Sequence, residues 1–194
     1  MRRKFLTPAA LVVLASALVA STPVLAAESY KVDPVHSTIA FRVEHLGVSY
    51  AWGRFNAIDG KAVIDEENPA ASSVTLEVRI DSIDTNSEKR DKHLMSPDFF
   101  DAKTFPVARF TSTKVTRKGD TWQVTGTLEL HGVKKTLTIP FERVGSGKDP
   151  WGGFRTGFSG RTTIKRSEFN ISWGLNGAVG DEVELFLDFE LIRE

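Results

Sequence analysis

From residue 30 onward the chain alternates apolar and polar positions with a period of two, the pattern of strands with one dry and one wet face. In "TIAFRVEH" the residues Ile39, Phe41, Val43 and His45 share one face, and Thr38, Arg42 and Glu44 share the other. In "SVTLEVRI" the residues Val74, Leu76, Val78 and Ile80 alternate with Thr75, Glu77 and Arg79. The pattern returns in "TWQVTGTLEL" and, more apolar, in "EVELFLDFELI". Turn signals separate these stretches: "KGD" at 118–120, "HGVKK" at 131–135 and "GSGKDPWGG" at 145–153. Short loops between alternating strands make antiparallel hairpins, so the spacing predicts about eight strands in a meander. Closing such a sheet removes both of its exposed edges. The expectation is an all-β fold, an antiparallel eight-stranded barrel.

One stretch breaks the alternation: "RDKHLMSPDFFDAKTFP" at 90–106. Just before it, "TNSE" at 85–88 fits a capping box, Thr85 offering its hydroxyl and Glu88 reaching back, with one or two helical turns following. Ser96 and Pro97 then fit an N-cap and first helical position of a second helix. The reading is a short helical insert between two strands. Phe99, Phe100 and Phe105 face the barrel, while Lys89, Arg90, Asp91 and Lys92 face solvent or neighbouring loops.

The first residues have another pattern. "MRRKF" is a basic start, "LVVLASALVA" a short apolar run, and "STPVLAAES" a small-residue cleavage zone, which together describe a secretory signal peptide. The expected organisation is a leader at 1–26, with Ala27 as the alternative cut, followed by one domain at 27–194. That places the mature protein outside the cytoplasm, without stable membrane insertion. The chain carries 25 basic and 25 acidic residues, and losing Arg2, Arg3 and Lys4 with the leader leaves it slightly negative. Scattered basic residues on a slightly acidic chain argue against nucleic-acid binding. The absence of cysteine excludes disulfides, thiolate metal sites and thiol nucleophiles.

Candidate chemistry is sparse. His36, His45, His93 and His131 are far apart, with no pair at the spacing that puts two metal ligands on one helix face. "GFSGR" at 157–161 is not a nucleophile elbow, and "GSGKD" at 145–149 lacks the second spaced glycine of a phosphate loop. His93, near Asp91 and Asp98, is either a general base or a hydrogen-bonding pin for the insert. No catalytic residue, cofactor or metal is assigned. The enzymatic alternative is a hydrolase or isomerase of a small apolar substrate using His93 or His45 with a carboxylate. The abundance of 13 phenylalanines and four tryptophans suits either a filled structural barrel or one holding an apolar ligand. Gly53, Gly126, Gly157 and Gly160 interrupt strand patterns, where glycine marks a bulge, a bend or a close approach.

"VDPVHSTIAFRVEHLGVSYAWGRFNAIDG", "SIDTNSEKRDKHLMSPDFFDAKTFPVARFTST", "GTLELHGVKKTLTIPF", "DPWGGFRTGFSGRTTIKRSEFNISW" and "VGDEVELFLDFE", in that order, resemble the YceI-like family over essentially the whole chain from Tyr30. With a leader in front, the chain is similar to the periplasmic branch of that family. The resemblance implies a lipocalin-like barrel whose interior binds a polyisoprenoid or other long amphiphile, for carriage or sequestration, with no catalytic residues. Isoprenoid-quinone handling and stress response are among the roles it implies. Carried onto matching positions, the implied ligand-binding residues are Phe41, Val43 and His45 on an early strand. Leu94, Phe99, Phe100 and Phe105 follow on the insert and Phe110 after it, then Phe158, Phe169 and Trp173 in the C-terminal half. His45, Arg42 and Arg90 are candidates to orient a polar head. Exposed apolar strands would also suit a homodimer.

Overall fold

The computed structural model describes residues 27–194; the leader expected at 1–26 lies outside the described residues. The strands are β1 (Glu28–Val32), β2 (Thr38–His45), β3 (Ser49–Phe55), β4 (Ile58–Ile64), β5 (Ser73–Arg79) and β6 (Ile83–Asp84), followed by helix α1 (Glu88–Leu94). Then come β7 (Val107–Lys118), β8 (Thr121–Leu130), β9 (Val133–Lys148), β10 (Phe154–Lys165) and β11 (Val179–Arg193). Every pairing among them is antiparallel.

Eleven segments nevertheless form a closed barrel of eight strands. The difference lies in three broken strands. β11 pairs with both β1 and β2, β4 continues the line of β3, and β6 continues that of β5. The first break falls at Asp33–Ser37, where Pro34 has no N–H for the ladder. The Asp33 carboxylate accepts instead from the Val35 N–H at 2.9 Å. A single 3-10 turn at Ile80–Ser82 makes the last break. The pairing of β1 with β11 closes the ring, so no long edge remains.

The predicted hairpin at 118–120 turns on Gly119, and that at 131–135 turns on His131 and Gly132. The last turn is shorter than expected, because β9 runs on to Lys148 and only 149–153 reverse the chain.

Strand glycines seat aromatic rings. A β-carbon on Gly53 would lie 2.4 Å from Phe41 Cζ, and one on Gly126 would lie 2.4 Å from Phe110 Cζ. One on Gly160 would lie 2.5 Å from Phe141 Cδ1. Of the readings open to these glycines, close approach holds for these three, and the approaching group is a phenylalanine. Gly157 sits at a register shift between β9 and β10, which is the bulge.

The insert departs from expectation at both caps. Ser87, not Thr85, is the N-cap of α1. Thr85 is buried, and both its N–H and its hydroxyl donate to Asp91 Oδ1, at 2.9 and 2.5 Å. The second helix does not form. From Ser96 the chain makes successive tight turns, with the Phe100 N–H donating to Leu94 O at 2.9 Å and the Phe105 N–H to Asp101 O at 2.8 Å.

Candidate binding cavity

A cavity of about 440 Å³ runs through the barrel interior. Each inward face supplies part of its wall: Ile39 and Phe41 from β2, Val74, Leu76 and Val78 from β5, Ile139 and Phe141 from β9, Leu185, Leu187 and Phe189 from β11. Val74, Leu76 and Val78 remain half-buried although they point inward, because they border empty space. A barrel of this size can be filled by side chains or hold one ligand, and here the alternating positions leave a space.

One end is blocked. Arg143 lies with its guanidinium 5.6 Å from the Trp122 ring centre and 5.1 Å from that of Phe158. Glu66 accepts from Arg143 and, at 2.8 Å, from Arg117. Next to this layer Tyr30 donates to Glu28 at 2.5 Å. Burial, reinforced by that bond, pushes the Tyr30 hydroxyl up to about 12.

The insert covers the other end. Here β6 pairs with β3 alone, so nothing joins it to β7, and residues 85–106 fill the gap. Phe99 is buried with Ile80, Ala108, Leu130, Ile164, Phe169 and Ile171. Phe100 meets Phe55 edge-on at 5.9 Å, and Phe55 packs at 5.8 Å on Phe41. Arg90 ties the helix down, Nε donating to Thr85 Oγ1 at 2.8 Å and Nη2 to Thr85 O at 2.5 Å. His45, Trp52, Arg90, His93 and Trp173 line the cavity at this end, and all but His93 are exposed, which marks it as the mouth.

Of the residues proposed from sequence, Phe41, Val43, His45, Leu94, Phe99, Phe100, Phe110, Phe158 and Trp173 border the cavity. Phe105 and Phe169 do not. Phe105 turns away to meet His131 at 4.7 Å and to cover Gly132. Phe169 is 1% exposed in the packed cluster behind the insert, because the 3-10 turn Arg166–Phe169 swings it out of the strand register. Arg42 faces outward and donates to Glu184 at 2.6 Å, so it cannot orient a head inside the cavity. Liners absent from the proposed binding residues include Phe55, Leu76, Leu128, Leu137 and Leu185, although alternation already puts Leu76 on the apolar face of its strand. Alternation in register with Phe41, Val78 and Phe189 was the signal that would have found them.

His93 is a pin. Its Nε2 is 3.0 Å from Asp98 Oδ2, and its ring meets Phe99 and Trp173 edge-on at 5.0 and 4.8 Å. Arg166, buried at the mouth, donates to the carbonyls of Gly180, Ile171 and Val179 at 2.7, 3.0 and 2.8 Å. Burial draws its guanidinium below the ordinary arginine range, and Asp181 partly opposes this. It fastens the loop before β11 to the barrel. Asp33, His36 and Glu190 converge closely enough to hold a metal ion. Arg155 already supplies a cation there, donating to Asp33 at 2.6 Å and to Glu190.

A blocked floor, an apolar interior and a partly covered mouth define a lipocalin-like β-barrel with an internal cavity. Residues 30–191 match the YceI-like domain, and the chain belongs to that family. A UPF0312 protein of Pseudomonas aeruginosa is 45% identical over 183 residues, 93% of this chain and 95% of that one. The crystal structure of BcnA from Burkholderia cenocepacia superposes with a TM-score of 0.75 at 26% identity, covering 82% of this chain and 98% of that one. A polyisoprenoid-binding domain from Saccharophagus degradans shares the fold, with a TM-score of 0.66 at 17% identity over 86% of this chain and 99% of that one.

Proposed function

We propose that this protein binds a long isoprenoid-like lipid, an isoprenoid quinone among the class, inside the barrel, for carriage or sequestration outside the cytoplasm. The cavity carries this reading: about 440 Å³, with a wall that is predominantly apolar. That volume lies in the range of sites holding small organic ligands, roughly 300–1,000 Å³. Each buried methylene contributes about 0.8 kcal/mol, so a chain threaded from mouth to floor gains enough to offset its ordering. Further support comes from the Saccharophagus degradans domain of the same fold, which binds polyisoprenoid. Binding is the reading taken for His93 as well, whose ring is packed edge-on between Phe99 and Trp173.

Retinol, a fluorescent isoprenoid, tests the proposal. Titration into delipidated protein should raise retinol emission with one-to-one saturation, and solanesol should displace it. Folded protein that takes up neither compound contradicts the reading.

A further inference from the structure

Among the described residues, six of the nine large exposed apolar side chains gather toward the mouth, Leu46, Val48, Tyr50, Trp52, Trp173 and Leu175, while Val35, Val144 and Trp151 lie elsewhere. Leu46 and Val48 form the tip of the β2–β3 hairpin. This tip is bonded to the neighbouring loop by the Leu46 N–H, which donates to Ala178 O at 3.1 Å. Trp173 and Leu175 lie in that same loop, which Arg166 holds in place. Tyr50 and Trp52 follow on β3. Leu46, Val48, Trp173 and Leu175 therefore sit on two braced loops around one opening, Tyr50 and Trp52 extend the patch down the outer face of β3 beside Arg42, and Trp173 joins it to the cavity.

Leu46 is the least expected member. It has φ +55°, in the left-handed region that suits glycine or asparagine, and is followed by Gly47 at φ +68°. Its side chain is 58% exposed, and that of Val48 80%. Packing does not account for leucine there.

We propose that this rim docks on a lipid bilayer and presents the mouth to the membrane for loading or release of cargo. The inference rests on the lipid-carrier reading. A long apolar chain crosses water at high cost, so a mouth set against the membrane gives it a dry path. Tyr and Trp suit the headgroup level of a bilayer, with an apolar body and a polar edge. The exposed Lys89 and Lys92 of α1, the latter 3.9 Å from Glu88, supply cations on long stems that reach phosphates. Glu44 and Asp98 are exposed in the same region, so apolar insertion dominates over charge.

The test is flotation of the purified protein with vesicles of phosphatidylcholine and phosphatidylglycerol, alongside transfer of retinol out of those vesicles. The protein floats and extracts retinol, and it keeps floating at high salt. Leu46→Asp combined with Val48→Asp lowers vesicle affinity by more than about tenfold, given the apolar area withdrawn. The same double variant binds retinol delivered from ethanol as the unmodified protein does, since neither residue borders the cavity. Trp151→Asp, far from the mouth, floats normally. Docking is overturned if the unmodified protein stays out of the vesicle fraction, or if the double variant floats and extracts equally well. It is also overturned if sedimentation velocity finds a dimer that the double variant abolishes, because a second copy then covers the rim. Failure of the unmodified protein to bind retinol from ethanol counts instead against the carrier reading, whatever the flotation shows.

Discussion

Gly53→Ala adds one methyl group opposite Phe41, and its consequences follow from three distances. The new Cβ would lie 2.4 and 2.8 Å from Phe41 Cζ and Cε1 and 2.8 Å from Thr85 Cγ2. Carbon atoms rest about 3.5–4.0 Å apart, so the ring must retreat by roughly 1 Å or more. Behind it lies the cavity, not packed protein. The φ of Gly53 is not positive, so alanine itself fits the backbone. Overpacking of this kind costs about 1–3 kcal/mol, against which the stiffer unfolded chain returns about 0.4–1 kcal/mol. The net loss, centred on about 1.3 kcal/mol, lowers Tm by roughly 3–5 °C for a domain of this size. Retinol affinity falls as well, because the displaced ring takes ligand space. Urea unfolding and retinol titration measure the two effects. Phe41→Leu, which lacks the ring tip, should relieve the clash, so Gly53→Ala is less costly in that background than in the native one. A Gly53→Ala variant with unaltered stability and retinol affinity, or equal costs in both backgrounds, refutes the reasoning.

Phe169→Ala should cost about 3–5 kcal/mol and lower Tm by roughly 6–20 °C, while retinol binding at room temperature is retained, since Phe169 packs behind the insert. Arg90→Ala removes the tether to Thr85, so hydrogen exchange across 85–106 should quicken by tenfold or more, about 1.5 kcal/mol or more of lost bonding, and retinol should dissociate faster. Burial pushes the Asp33 carboxyl up, but bonds from His36, Arg155 and the Val35 N–H outweigh it and hold the group well below the ordinary carboxylate range. A depressed folded value stabilises the protein above the unfolded value, about 3.9, and the contribution is lost as pH falls through the folded one. The urea-midpoint gap between the native protein and Asp33→Asn should therefore be widest near neutrality and narrow below about pH 4.

The strands could be read because each is wet on one face and dry on the other, so alternation reports the wall directly. Eight strands were legible, but the three breaks were not. Each break flips the parity of the inward series, from Val32 to Ile39 and from Phe55 to Ile58, which in one sequence looks the same as a turn between two separate strands. The capping signals misled for two reasons. Arg90 and Asp91 both reach back to Thr85, which moves the cap to Ser87. After Pro97, only a few residues precede Pro106, too few for a helix to recover its nucleation cost. Phe105 and Phe169 escaped because turns obey no period of two. The seating of Phe41 on Gly53 depends on which residues face each other across β2 and β3, and one strand's pattern carries no register.

Native mass spectrometry of the protein isolated from the organism that makes it, followed by lipid extraction, tests the central claim most directly. The cavity predicts one bound molecule per barrel, released as an isoprenoid or similarly long apolar chain. Repeated preparations showing only the bare protein mass, in a fold that also refuses added solanesol, would contradict it.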